Sequence, residues 1–110
     1  MITVSFFKNK DNDITGFRCI GHAGYSEYGC DIICAGVSSL VINTINSLEK
    51  FTNTKFSKTK TNEKKGVIDV SFDGVLDHDA ELLMRSLVLG LTEIQNDYGA
   101  DYISIFFKEV

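Results

Sequence analysis

A histidine and a cysteine, His22 and Cys34, stand on either side of a short glycine-bracketed loop in the first third of the chain. They lie in the stretch Gly21-His22-Ala23-Gly24-Tyr25, followed by Gly29-Cys30-Asp31-Ile32-Ile33-Cys34-Ala35-Gly36-Val37-Ser38. Asp31 reads as the N-cap of a helix, which puts Cys34 three residues into it. Backbone N–H groups at a helix start lack intrahelical partners, and the helix dipole presents partial positive charge there. Both favour a thiolate, and such surroundings lower a cysteine pKa from ~8.5 into the range ~3.5–7.5. The thiolate is the attacking form in nucleophilic catalysis, and the same N–H groups could hold an oxyanion. His22 could take the thiol proton and return it to a leaving amine.

Plainer readings of the pair exist. A lone cysteine in an apolar helical turn is usually a small core residue, and a lone histidine at a strand end is usually a surface group. Spacing alone favours those readings. The helix-start position and the bracketing glycines bring the chemical reading level with them.

The elements that would position the pair are legible in the pattern of apolar residues. Ile2, Val4 and Phe6 alternate with Thr3 and Ser5, which predicts a strand over 1–8. The polar cluster 9–13 predicts a turn, and 14–22 a second strand ending at His22. After the loop, a helix is expected from Asp31 to about Lys50, with Val37, Val41, Ile45 and Leu48 on one face and Ile33, Leu40 and Thr44 beside them. Residues 53–60 and 67–73 predict a second hairpin. A second helix, capped by Asp77 or Asp79 and stopped by Gly99, carries Leu82, Leu83, Met84, Leu87, Val88, Leu89, Leu91 and Ile94. That apolar surface is wider than one stripe, so both of its flanks are expected to be covered. Residues 101–107 predict a final strand. The order ββαββαβ implies an α+β fold, a single domain over 1–110 with two helices packed on a mainly antiparallel sheet. The order of the strands in space is not readable from the sequence.

The bulk properties narrow the setting. With 110 residues, 44% hydrophobic and 24% charged, the composition is that of an ordinary soluble domain. The N-terminus lacks a basic start followed by a long apolar stretch, and uninterrupted apolar runs fall short of ~20 residues, so a cytosolic protein with no membrane partner is expected. In that compartment the three cysteines are expected to be unpaired. A net charge of −4 argues against a general nucleic-acid binder and would suit a basic partner.

Gly-His-Ala-Gly-Tyr, followed shortly by Gly-x-Asp-Ile-Ile-Cys-Ala-Gly-Val-Ser, resembles the paired motif of the ribosomal-processing cysteine proteases, the Prp or YsxB-like family. The length and the element order match across essentially the whole chain. The resemblance implies His22 as the catalytic histidine and Cys34 as the nucleophile. It carries the family's motif glycine, aspartate and serine onto Gly21, Asp31 and Ser38 as supporting residues. It further implies a bacterial homodimer that removes the N-terminal extension of large-subunit ribosomal protein bL27, in support of ribosome assembly. The loop after the histidine is implied to order on substrate binding. Gly24, Tyr25, Tyr28 and Gly29 are then candidates for substrate contact, with Tyr25 and Tyr28 alternatively covering the core edge. No cofactor or metal is called for. Asp31 is a sound N-cap whichever role holds. Ser38 could steady the site or bond back to the preceding turn. No third residue that would orient His22 is identifiable, which leaves a dyad.

Two rival readings use the same residues differently. Cys19, His22, Cys30 and Cys34 offer four soft metal ligands, but without the tight Cys-x-x-Cys pairs of a closed zinc site. Lys55, Lys58, Lys60, Lys64 and Lys65 form a basic patch that could meet ribosomal RNA, although lysine also protects an edge strand from pairing. His78 beside Asp77 and Asp79 suggests a second site, yet acids at a helix start are explained as caps and dipole partners.

Overall fold

Alternating apolar residues at the N-terminus form β1 (Ile2–Lys8), in which Ile2, Val4 and Phe6 are all buried. The polar turn that follows is built on Asn9, whose side-chain carbonyl accepts from the N–H groups of Asp11 (2.9 Å) and Asp13 (3.0 Å). It leads into β2 (Ile14–Ile20), then α1 (Cys30–Phe51), β3 (Phe56–Asn62), β4 (Val67–Phe72), α2 (His78–Tyr98) and β5 (Ile103–Glu109). The computed structural model describes residues 1–21, 30–62 and 66–110.

The five strands form one sheet in the order β3-β4-β2-β1-β5. Three neighbouring pairs are antiparallel, and β5 joins β1 in parallel. The expected α+β architecture therefore holds, with the parallel pair as the addition that strand periodicity could not supply. Register decides which side chains face the helices. Val4, Cys19 and Ile68 lie opposite one another across β1, β2 and β4, and all are buried. The intervening positions bear Arg18 and Asp69, which form an ion pair at 3.8 Å on the far face of the sheet.

Helix α1 buries Ile33, Val37, Val41, Ile45 and Leu48 against the sheet, as its spacing predicts. Its Ile32–Phe51 stretch is apolar and long enough to cross a membrane by length and composition. The buried stripe gives that apolarity a use within the fold. Helix α2 begins at the Asp77 cap, whose carboxylate accepts from the Ala80 N–H at 2.8 Å. It ends at Gly99, which has φ 100° and donates its N–H to the Gln95 carbonyl. The two helices run antiparallel and close together. A Cβ on Gly90 would lie 3.0 Å from a Leu40 methyl, and one on Gly36 would lie 3.7 Å from an Ile94 methyl.

The expectation that both flanks of α2 are covered is corrected. Ala80, Met84, Leu87 and Leu91 form one buried stripe, while Leu82 and Leu89 are 53% and 62% exposed. The helix meets α1 and the sheet on one side only, so hydrophobicity on its outer flank does not report burial. Replacing Met84 by Ala is expected to destabilise the fold by about 2–5 kcal/mol in urea unfolding. Replacing Leu89 by Ser should change stability by less than about 0.5 kcal/mol.

Candidate active site

The site is assembled where the C-terminal end of β2 meets the start of α1. Strand β2 stops at Ile20, two residues short of the expected end at His22. The cause is Gly21, whose φ of 100° turns the chain out of the ladder while its N–H donates to the Gly66 carbonyl at 2.9 Å. A Cβ here would run into the carbonyl oxygen of Met1, and the φ is one that L side chains rarely adopt. Two separate requirements thus demand glycine immediately before His22. His22 itself, with Gly24, Tyr25, Tyr28 and Gly29, lies outside the described residues.

Helix α1 starts at Cys30, one residue before the expected cap, so Asp31 is its second residue. The earlier start also shifts the amides that lack intrahelical partners. In an α-helix beginning at Cys30 they include the N–H groups of Cys30, Asp31 and Ile32, and Cys34 lies just past them. Helical side chains lean toward the N-terminus, so a thiol at this position is carried back toward those amides.

Cys34 is half-buried and packs against the edge of the core. Its neighbour across the helix–sheet interface is Cys19, a core-facing residue of β2 that is 1% exposed. Burial pushes the Cys19 thiol up from its ordinary value of 9.0 to about 12, and the nearby Cys34 charge adds to the rise. That coupling places the two sulfur atoms within electrostatic reach. The first turns of α1 therefore stand over the end of β2, where Cys19 is the penultimate residue and after which Gly21 and His22 follow in the chain.

Ser38 is one helical turn beyond Cys34 and is half-buried. The hydroxyls of Thr44, Thr52 and Thr92 each bond the carbonyl four residues back. Ser38 makes no such bond among the described residues. It lines a groove between α1 and the β3–β4 hairpin instead, which sequence reasoning did not anticipate. Of the four candidate metal ligands, Cys19 and Cys34 are neighbours, while the side chains of His22 and Cys30 lie outside the described set. The basic hairpin places Lys58 and Lys60 on edge strand β3, on the sheet face away from the helices, where Lys58 pairs with Asp69 at 2.9 Å. Lys64 and Lys65 lie outside the described residues. His78 is exposed, 3.3 Å from Asp79, at the opposite end of the helix pair from Cys34.

Comparison with known proteins places this geometry in context. The model of the cysteine protease Prp family matches residues 1–104. The ribosomal processing cysteine protease Prp of Staphylococcus aureus is 26% identical over 99 residues, covering 90% of this chain and 92% of that protein. The protein of the same description from Bacillus subtilis is 28% identical over 102 residues, covering 89% and 90%. The crystal structure of the Staphylococcus aureus protease, an essential ribosomal processing protease in complex with a substrate peptide, superposes with a TM-score of 0.90. That match has 25% identity and covers 98% of this chain and 100% of that one.

Gly21→Ala is expected to cost about 2–4 kcal/mol in chemical unfolding, from the forced φ and the contact with Met1. Iodoacetamide at about pH 8, followed by peptide mapping, should label Cys34 in the folded protein and reach Cys19 only after denaturation. The sign of the pH effect follows from the raised value. The unfolded chain ionises the Cys19 thiol from about 9.0 upward, whereas the folded chain resists until about 12. The stabilising contribution is therefore complete below that window and lost across it, so wild type should lose more stability there than Cys19→Ala.

Proposed function

The chain belongs to the Prp family of cysteine proteases, and from that membership we propose that it is the endopeptidase that removes the N-terminal extension of ribosomal protein bL27. Cys34 is the nucleophile and His22 the general acid and base. The supporting observation is the position of Cys34, half-buried over the end of the strand that leads through Gly21 to His22.

In the proposed reaction, the Cys34 thiolate attacks the carbonyl carbon of the scissile bond. The carbonyl electrons move onto oxygen, and the oxyanion is held by N–H groups at the start of α1 that lack intrahelical partners. The tetrahedral intermediate collapses to a thioester, and the leaving amine takes a proton from the His22 imidazolium. His22, now neutral, then accepts a proton from water as the hydroxyl adds to the thioester. Collapse of this second intermediate returns the thiolate and releases the new C-terminus. No step requires a metal or cofactor. Gly21 sets the approach of the histidine, Asp31 stabilises the helix start, and Ser38 borders the site.

The reading carries further parts of the family's setting. The enzyme works in the bacterial cytoplasm as a homodimer, on a protein substrate rather than on nucleic acid or a membrane. A net charge of −4 favours encounter with a basic ribosomal protein.

Incubation with unprocessed bL27, with the new N-terminus read by mass spectrometry, is the direct test. Wild type should cleave at one site. Cys34→Ala and His22→Ala should each lower kcat/KM by at least about 10³-fold while circular dichroism and urea midpoints stay near wild type. Normal processing by Cys34→Ala would remove the proposed mechanism.

A further inference from the structure

Edge strand β3 extends beyond the cover that α1 provides, and a groove opens between them. Its position follows from register. Thr59 and Thr61 pair with Val70 and Ile68, so they share the helix-facing side of the sheet, yet both are exposed. The opposite wall is the flank of α1 that carries Ser38, Ile42 and Asn46, with Ile45 and Ile68 deeper in the groove. The space is about 500 Å³, within the size range of true ligand pockets.

The chemistry of the lining is selective. Among the described residues that line it, none is charged. Isoleucine and valine supply apolar surface, and hydroxyl and amide groups stand at intervals around it. Three other hollows among the described residues each include lysine, arginine or carboxylate side chains. The neutral groove is thus suited to an apolar side chain whose flanking peptide groups need hydrogen-bond partners. Its described lining residues offer no positive charge to balance a phosphate or a carboxylate. Ile42, on its rim, is 49% exposed and gains burial if such a side chain enters.

The groove begins at Ser38, one helical turn from Cys34 on the same flank of α1. Ser38 lies about 6 Å along the helix axis from Cys34 and Asn46 about 18 Å, at about 1.5 Å per residue. A peptide extended at about 3.3 Å per residue covers that span with about two to five residues.

We propose that the groove lined by Ser38, Ile42, Ile45, Asn46, Thr61 and Ile68 is a specificity subsite that receives an apolar side chain of the extended peptide substrate, about two to five residues from the bond cleaved by Cys34. The inference rests on the protease reading above and adds the residues that select the peptide.

The test uses a fluorogenic peptide spanning the cleaved junction of bL27, with Ile42→Asp and Thr61→Trp as variants at exposed positions. The first places an unpaired charge in the groove and the second fills it. Each should raise KM about 10-fold or more with kcat within about threefold. The rate at which iodoacetamide modifies Cys34 should stay unchanged, since the nucleophile is untouched. Replacing the apolar peptide residue by lysine should weaken cleavage by wild type and be partly rescued in Ile42→Asp. Wild-type KM in both variants would overturn the subsite. Should wild type cleave nothing, the protease reading fails by itself, and fluorescence anisotropy of the same labelled peptide still decides the groove. Binding lost in both variants supports it, whereas equal binding, or none to wild type, overturns it.

Discussion

The rotation of α1 about its own axis is the constraint on which the site depends. Successive residues of an α-helix turn by about 100°, so burying one stripe determines the exposure of every other position. Ile33 and Val37 are 4% and 0% exposed, and Cys34 falls on the flank of the stripe they define. It is half-buried for that reason, with the core on one side of it. A rotation of one residue would either sink the thiol into the sheet or turn it toward solvent, away from β2. The apolar contacts of Val41, Ile45 and Leu48 much farther along the helix resist such a rotation, so the placement of one sulfur atom is sustained by the whole length of the packed face.

The sheet contributes an asymmetry. Its strands run β3-β4-β2-β1-β5, and the helices cover one face without reaching the full width at the β3 edge. Along β3 the inward positions change from Phe56 to Thr59 and Thr61. The same strand presents lysines on its other face, and one of them pairs with Asp69. One edge strand thus separates a neutral groove from a charged surface by simple alternation of side chains. The groove is built into the fold, because a helix of fixed diameter cannot shield every strand of a five-stranded sheet.

Much of this was legible in the sequence, and the remainder failed for identifiable reasons. All seven elements follow from apolar periodicity, and the Asp77 and Gly99 caps were readable from residue type. The parallel union of β5 with β1 was not, because a two-residue period tells which side chains share a face and says nothing about which strand lies alongside. The outer flank of α2 was misjudged because Leu82 and Leu89 are as apolar as Met84 and Leu87, and only packing distinguishes them. Near the site, His22 and Cys34 stood out through glycine bracketing and motif resemblance. The strand ends before His22 because Gly21 leaves the ladder by a backbone conformation that its residue type permits but does not announce. The groove is not legible in the sequence because its walls come from segments far apart along the chain. Its available signal was the pair of threonines at inward strand positions where valine or isoleucine would be expected over a covered core.

Two cysteines, one on β2 and one on α1, lie close enough for their charges to interact, which raises the question of which one performs the proposed chemistry. Cys19 is closer in sequence to His22, but it is enclosed by the core, and its ionisation is driven up to about 12 by that enclosure first and by Cys34 second. At neutral pH it is a small apolar residue that neither attacks nor competes for the histidine's proton. A valine or leucine could fill the same kind of space, yet a larger side chain at this point would press on the first turns of α1 and shift the proposed nucleophile. The compact thiol lets the helix start approach the end of β2 closely. Burial therefore separates two chemically identical side chains into a packing element and a candidate nucleophile, and the distinction follows from where each meets the core.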